Sequence, residues 1–376
     1  MVGRSVFLVV THGKSSLDLY SLRLARHLKV STLHTDVYQR FSRLFNRKLF
    51  SASTVEGLLT LMRFAGKLSR ITGIPHLPNQ HLGRVGFLLK KPFIITVHDL
   101  IRYVDLKASK HFKPLIHKPN LQDYFWLGLD YRGVARAARI IVPSTYTKND
   151  LVRRLGIPEE KIRVVYHGVD EAFKPTENGR PCPEPYILYV GSEHPRKNLK
   201  TLLEAFSRLK ENASFRDLKL VKVGRTGGKE ANFRGQTLRL VESLGLKRDV
   251  IFFDWLPVKT LASFYTQAEL FAFPSLYEGF GWPPLEAMAC GCPVVSSNAS
   301  SMPEILGDAA LYVNPLDVEG WAEALAEVLS SNRLRRKLSA KGIERAKRFT
   351  WRRTAEETLK VYLELEEEKL KQPLHA

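Results

Sequence analysis

The chain has 376 residues, 44% of them hydrophobic, and a formal net charge of +20. That length predicts two domains, the apolar share is ample for two packed cores, and nothing in the composition marks disorder or low complexity. The longest early apolar run, Val6 to Val10, is too short for a signal sequence or a membrane span, and Cys182, Cys290 and Cys292 form neither a Cys-x-x-Cys motif nor a disulfide framework, so a reducing, cytoplasmic setting is expected.

The excess charge is uneven. The first 175 residues hold 29 Lys and Arg against 12 Asp and Glu, whereas the remainder holds 29 against 26. A basic half-molecule points to an anionic partner: nucleic acid, an acidic membrane surface or a phosphorylated acceptor. General basicity for solubility is the plain alternative. No RNP, KH or helix-turn-helix pattern supports nucleic acid.

Val6–Thr11 reads as a buried parallel strand, followed by His12-Gly13 and a helix from about Leu17 to His27. Gly13-Lys14-Ser15 is the tail of a P-loop pattern whose first glycine falls on Leu8, so that match fails. In residues 40–70 basic and apolar residues interleave at helical spacing, first in Arg40–Phe50 and then in Leu58–Arg70. Two readings stay open: a basic amphipathic helix lying on an anionic membrane, or a surface helix packing its apolar face inward. Pro92–Leu100 holds the clearest strand of this half, and it ends in His98-Asp99, where ligands of open α/β sheets bind. Arg139–Pro143 is a strand leading through Ser or Thr caps into a helix, and Lys161–Asp170 holds the last strand of the half. Residues 171–185, with four prolines, read as a linker.

The second half opens with the strand Tyr186–Gly191, and Arg196 and Lys197 lie just ahead of a helix. Two fixed cations at a helix start suit a diphosphate; a basic capping turn is the alternative. Leu218–Gly224 and Asp249–Leu256 hold further strands, whose loops would take a base. The most informative stretch is Leu270–Gly291. An apolar strand runs into two glycines bracketing an aromatic (Gly279, Phe280, Gly281), then Pro283 and Pro284, then a helix-forming run expected to start near Pro284. Glu278 precedes the loop and Glu286 falls in the expected first helical turn, with seven residues between them. An anion on the helix end, with hydroxyls on two carboxylates, is what a nucleotide-sugar needs. Alternatively, Glu286 complements the helix dipole and Glu278 is a solvated loop residue. Trp351–Lys371 reads as a long charged amphipathic helix.

The string Ser275-Leu-Tyr-Glu-Gly-Phe-Gly-Trp-Pro-Pro-Leu-Glu-Ala-Met-Ala-Cys-Gly291 resembles, nearly residue for residue, the donor-site motif of family 4 retaining glycosyltransferases, and Asn298–Glu304 and Gly307–Val313 are similar to the same family. The resemblance covers most of residues 90–365 and is weak before residue 90. It implies an α/β architecture of the GT-B type, with two doubly wound Rossmann-like domains facing a central cleft. Residues 1–170 would form the N-terminal acceptor-side domain and 186–350 the nucleotide-sugar-binding domain, with 351–376 a helix crossing back to the first.

The resemblance also implies roles. Arg196 and Lys197 would meet the leaving diphosphate, Glu286 the ribose hydroxyls and Glu278 the transferred sugar. Gly279, Phe280 and Gly281 would complete the donor site. His98 and Asp99 would face the donor sugar and acceptor. Gly13 alone remains of the family's glycine-rich first turn, a departure that touches the acceptor side.

The C-terminal half looks most like mannosyltransferases of lipid-linked or polysaccharide glycans, so GDP-mannose is the first expected donor and a UDP-hexose the second. The expected acceptor is a glycan or a lipid-linked glycan, with the protein peripheral on the inner face of a membrane. No two aspartates stand two positions apart, so the Asp-x-Asp metal motif is absent; with cations supplied by the protein itself, no metal requirement and no cofactor are expected. No side chain is assigned as a covalent nucleophile. A non-catalytic sugar-nucleotide-binding protein of this fold and a nucleic-acid-binding protein are the rival readings.

Overall fold

The computed structural model describes residues 5–13, 15–37, 52–107, 116, 118–177, 179, 181–227 and 232–371. The chain folds as two compact units: Met1–Phe112 with His117–Gly168 and Thr350–Ala376, and chiefly Val169–Phe349. Residues 171–185, read above as a linker, belong to the second unit, where Phe173 and Cys182 are buried in its core.

In the first unit, β1 (Val6–Thr11), β2 (Ser31–Thr35), β3 (Ile74–Leu77), β4 (Ile94–Thr96), β5 (Arg139–Val142) and β6 (Ile162–Val164) form a parallel sheet in the order β2-β1-β3-β4-β5-β6. All six residues of β1 are buried, as a strand covered on both faces requires. Helix α1 (Ser16–His27) starts at a capping box in which the Ser15 hydroxyl accepts the Asp18 N–H and the Asp18 carboxylate accepts the Ser15 N–H.

Helix α2 (Ala52–Arg70) packs with α3 (Gly83–Leu88), and α3 in turn with α5 (Leu121–Arg136), over one face of the sheet. Between β4 and α5 lies α4 (Ile101–Lys107), and α6 (Thr145–Leu155) joins the same core through Leu151. In α2, Leu61, Phe64, Ala65 and Leu68 are buried in this core. The inward-packing reading therefore holds for the Leu58–Arg70 stretch, although Leu58, Leu59 and Met62 remain exposed. The Arg40–Phe50 stretch lies outside the described residues. Helices α3 and α5 approach so closely that a Cβ on Gly133 would lie 1.7 Å from the Gly83 carbonyl oxygen.

In the second unit, β7 (Tyr186–Val190), β8 (Lys219–Val223), β9 (Val250–Phe253), β10 (Leu270–Phe273), β11 (Val294–Ser297) and β12 (Ala310–Val313) form a parallel sheet in the order β12-β11-β10-β7-β8-β9. Its helices are α7 (Leu199–Leu209), α8 (Phe233–Ser243), α9 (Val258–Gln267), α10 (Trp282–Ala289), α11 (Met302–Leu306), α12 (Val318–Ser330) and α13 (Asn332–Ala346), and its two cores cover both faces of the sheet.

The last helix, α14 (Trp351–Lys371), belongs to the first unit. Trp351, Ala355, Thr358, Tyr362 and Leu365 recur at three- and four-residue steps and are buried, as are Thr354 and Val361 beside them. The Thr350 hydroxyl accepts the Arg353 N–H at its start. Further along, Glu364 pairs with Arg163 at 2.8 Å and Glu368 with Arg139, so an acidic helix end meets basic strands. Beneath it runs a buried polar chain: the Tyr362 hydroxyl to His76 Nδ1 at 2.6 Å, His76 Nε2 to the Thr96 hydroxyl at 2.8 Å, and that hydroxyl to Tyr20 at 3.2 Å.

Candidate functional site

In the second unit the chain runs from β7 to β8 and β9 on one side, then crosses back to place β10 on the other side of β7. The loops after β7 and β10 therefore part at a topological switch point, where α/β sheets bind ligands beyond the carboxyl ends of their strands. Arg196 and Lys197 lie on the first loop and Glu278 on the second. Arg196 Nη1 and Lys197 Nζ each stand 2.7 Å from Glu278 Oε1, which also accepts the Ser275 hydroxyl at 2.8 Å.

The turn carrying the two cations is held in detail. Asn198 sits at φ +54° and donates its amide to the carbonyls of Pro274 and Pro315, while the Leu276 N–H donates to the Arg196 carbonyl at 2.7 Å. The Lys197 ammonium lies 4.9 Å from the Phe273 ring centroid. Across the site, Ser300 at φ +55° accepts the Glu278 N–H, and the Ser301 hydroxyl donates to the carbonyls of Glu278 and Phe280. Ser275, Ser300, Ser301 and Asn198 thus fix the site without having been singled out in the sequence. Their only signal there was position: Ser275, Ser300 and Ser301 lie within the family-like strings, and Asn198 follows the Arg196-Lys197 pair.

Burial would raise the Glu278 carboxyl pKa, but the nearby Arg196 and Lys197, with hydrogen bonds from Lys197 and Ser275, outweigh it and hold the group below its ordinary value. The result is one ionised carboxylate shared by two cations, a locally positive cluster. Among the described residues the buried Arg196 Nε has no hydrogen-bond partner, which leaves a fixed donor for an anion.

Other expected residues are placed differently. The helix after the glycines begins at Trp282, two residues before the expected start, because Gly281 at φ +101° turns the chain into it. Glu286 therefore falls in the second turn, where its carboxylate accepts the Tyr265 hydroxyl at 3.1 Å. Pro283 and Pro284 also remove two of the four amides that the helix end would otherwise offer an anion. Gly281 is needed for its backbone conformation, since a Cβ there would be strained at φ +101° and would also have to displace the Met302 methyl 2.4 Å away. Gly279 is buried in the same turn. The Phe280 side chain points into the hydrophobic core against Phe349 and Trp282, so only its main chain borders the site.

In the first unit, Gly13 follows β1 and His98-Asp99 follows β4. The switch point there falls between β1 and β3, since β2 and β3 flank β1. His98 Nε2 lies 2.8 Å from the Pro78 carbonyl, which can only accept, so Nε2 carries the proton and Nδ1 accepts from His167 Nε2 at 3.1 Å. Both ring nitrogens are engaged inside the unit. Burial pushes the His98 pKa down to about 4, and burial with the nearby His98 pushes His167 well below its ordinary value, so both rings are neutral. The Asp99 carboxylate accepts the Ile101 N–H at the start of α4. Among the described residues no cluster of three or more His, Cys, Asp or Glu could hold a metal ion, and no helix is long and apolar enough to cross a membrane.

The profile for glycosyl transferases group 1 matches residues 170–345, and that for Glycosyltransferase Family 4 matches residues 59–173. O-antigen chain mannosyltransferase B of Escherichia coli is 30% identical over 60% of this chain and 60% of its own. An MMP alpha-(1->4)-mannosyltransferase of Mycolicibacterium hassiacum is 32% identical over 75% and 66%. A D-inositol 3-phosphate glycosyltransferase of Saccharomonospora viridis is 32% identical over 75% and 68%. The chain thus spans less than two thirds of the length of the first of these relatives. Among solved structures, sucrose-phosphate synthase from Thermosynechococcus elongatus superposes with a TM-score of 0.75 at 21% identity, covering 96% of this chain and 99% of that one. HepE of Anabaena, in complex with UDP and glucose, superposes with a TM-score of 0.73 at 16% identity, covering 95% and 99%. The two parallel six-stranded sheets are the Rossmann-like domains of the GT-B fold, and the chain belongs to glycosyltransferase family 4.

Proposed function

We propose that the protein transfers a hexose, with retention of configuration, from a nucleotide-sugar to a glycan or lipid-linked acceptor. The observation that carries this reading is the cluster at the switch point of the second unit, where Arg196 and Lys197 flank the ionised Glu278. A donor's diphosphate meets two cations there, one with an unpartnered N–H, and charge growing on the leaving group is neutralised by groups already in place. The reading gives Glu278 the hydroxyls of the transferred sugar and Glu286 those of the ribose, with the main chain of Gly279, Phe280 and Gly281 lining the site. Arg196 and Lys197 supply the positive charge, so a chelator should leave transfer unchanged. In the first unit, Gly13 leaves the end of β1 open to a ligand, and Asp99 borders the acceptor side next to the neutral ring of His98, which Pro78 and His167 hold in place.

The donor proposed first is GDP-mannose, supported by the mannosyltransferases among the relatives. A UDP-hexose is the second reading, supported by the UDP and glucose bound to HepE. The protein is proposed to be cytoplasmic and peripheral at an anionic membrane surface, supported by the basic first half of the sequence.

Thermal unfolding with UDP, GDP, ADP and their sugars tests the donor. A ligand present at 100 times its Kd adds about 2.7 kcal/mol of stability, so the true donor stands out as the largest shift, and Arg196→Ala should reduce it. No shift with any of them would overturn the reading.

A further inference from the structure

From the first unit we infer a membrane-docking face: the outer surface of α2 and α5, which fits an anionic lipid bilayer. The inference rests on the proposed lipid-linked acceptor and supplies what that reading lacks, the surface that would meet the lipid.

Helix α2 carries three strips. At about 100° per residue, the buried strip of Leu61, Phe64 and Leu68 is followed round the axis by exposed Leu58, Leu59 and Met62, then by exposed Arg63, Lys67 and Arg70. A helix that only packed inward would need one apolar strip; this one has a second, 61% exposed at Met62, bordered by cations. Helix α5 repeats the arrangement. Leu121, Tyr124 and Phe125 lie opposite its buried side, with Leu121 77% exposed, and Arg132 and Arg136 continue the same strip.

The carboxylates of α5 turn away from this surface: Asp123 accepts the N–H of the N-cap Asn120 and meets Arg102, and Asp130 pairs with buried Arg84 at 2.5 Å. Among the described residues of α2, Glu56 is the one exposed acid. Both helices pack with α3 on one face of the sheet, and both begin at its carboxyl end, because crossover helices run antiparallel to the strands they join. His98 and Asp99 stand at that end of the same sheet. The stretches that lead into the two helices in the sequence, residues 38–51 and 108–117, contain Lys or Arg and no carboxylate.

Apolar side chains amid cations match lipid headgroups, which attract the charge while the apolar tips enter the acyl boundary. A second copy of the same face would bring like charges together, and nucleic acid has no use for a leucine and methionine strip.

Vesicle co-sedimentation decides the matter. The protein should pellet with vesicles containing phosphatidylglycerol at low salt, stay in solution with phosphatidylcholine alone, and be released by high salt. Leu121→Ser/Tyr124→Ser/Phe125→Ser and Arg63→Glu/Lys67→Glu/Arg70→Glu should each lower partitioning at least roughly tenfold. Trp255→Ser, an exposed apolar change in the second unit, should leave it unaltered. Unaltered thermal unfolding confirms that the variants fold, and the salt dependence of the parent needs no variant. Equal recovery in the supernatant with both vesicle types would overturn the inference. So would parental binding by both triple variants, or self-association through Leu121, Tyr124 and Phe125 without vesicle binding. Nucleoside diphosphate shifts are read separately: their loss with vesicle binding intact would remove the transferase reading and leave the docking face standing.

Discussion

Mild acid should weaken the first unit, and its buried histidines set the size of the effect. Burial, helped by the neighbouring His98, pushes His76 down to about 3, while burial pushes His98 down to about 4. The unfolded chain restores both to about 6.5. Because the folded pKa values are depressed, the unfolded state takes up protons first as pH falls. Stability is therefore intact above about 6.5 and is lost below it. At 1.36 kcal/mol per pH unit, each ring contributes a loss of about 2 kcal/mol by pH 5, and the two together about 4 kcal/mol. His167 adds to the loss with the same sign. Against a domain stability of about 5–15 kcal/mol this is a large fraction. Glu278, held below the ordinary carboxyl value, stays ionised in this window and opposes nothing.

Urea unfolding between pH 7.5 and 5, followed by the fluorescence of Trp126 and Trp351, both buried in this unit, measures the loss. His76→Gln keeps a polar partner for Tyr362 and Thr96 but cannot titrate, so its stability should fall more shallowly with pH, by about one proton. A stability unchanged across that range, or a variant with the parental slope, would refute the argument.

Glu278→Gln should abolish most transfer while leaving the fold intact, because Ser275 can still hydrogen-bond the amide; unchanged turnover in a sugar-transfer assay removes Glu278 from the site. Arg196→Ala and Lys197→Ala should each slow transfer by roughly 10²–10³ and weaken nucleoside diphosphate binding; parental affinity in calorimetry would show the phosphate site misplaced. Glu193 pairs at 2.8 Å with both Arg234 and the wholly buried Lys222, so Glu193→Leu, which strands the buried Lys222 ammonium, should destabilise the second unit by about 3–5 kcal/mol, and a denaturant midpoint equal to the parent's would contradict it. Gly133→Ala, which drives a methyl into the Gly83 carbonyl, should cost about 1–3 kcal/mol or more, read as a lowered Tm.

Periodicity makes much of the fold legible in the sequence alone. Val6–Val10 is apolar at every position because the strand is covered on both faces, and the buried positions of α14 recur at helical steps. Arg196, Lys197 and Glu278 were each recognisable from the string around them. Local pattern tells which face of an element is apolar, but not which loops meet. That Glu278 is shared by two cations some eighty positions earlier follows from the parallel pairing of β10 with β7, a long-range choice with no local signature. The same limit explains the differences. Phe280 turns inward and Glu286 meets Tyr265 because Gly281 starts the helix early, and His98 faces Pro78 and His167 because loops from three strands converge on it. Composition and spacing determined the elements and the chemistry they carry; strand order, which only packing of the whole chain decides, determined which of those groups touch.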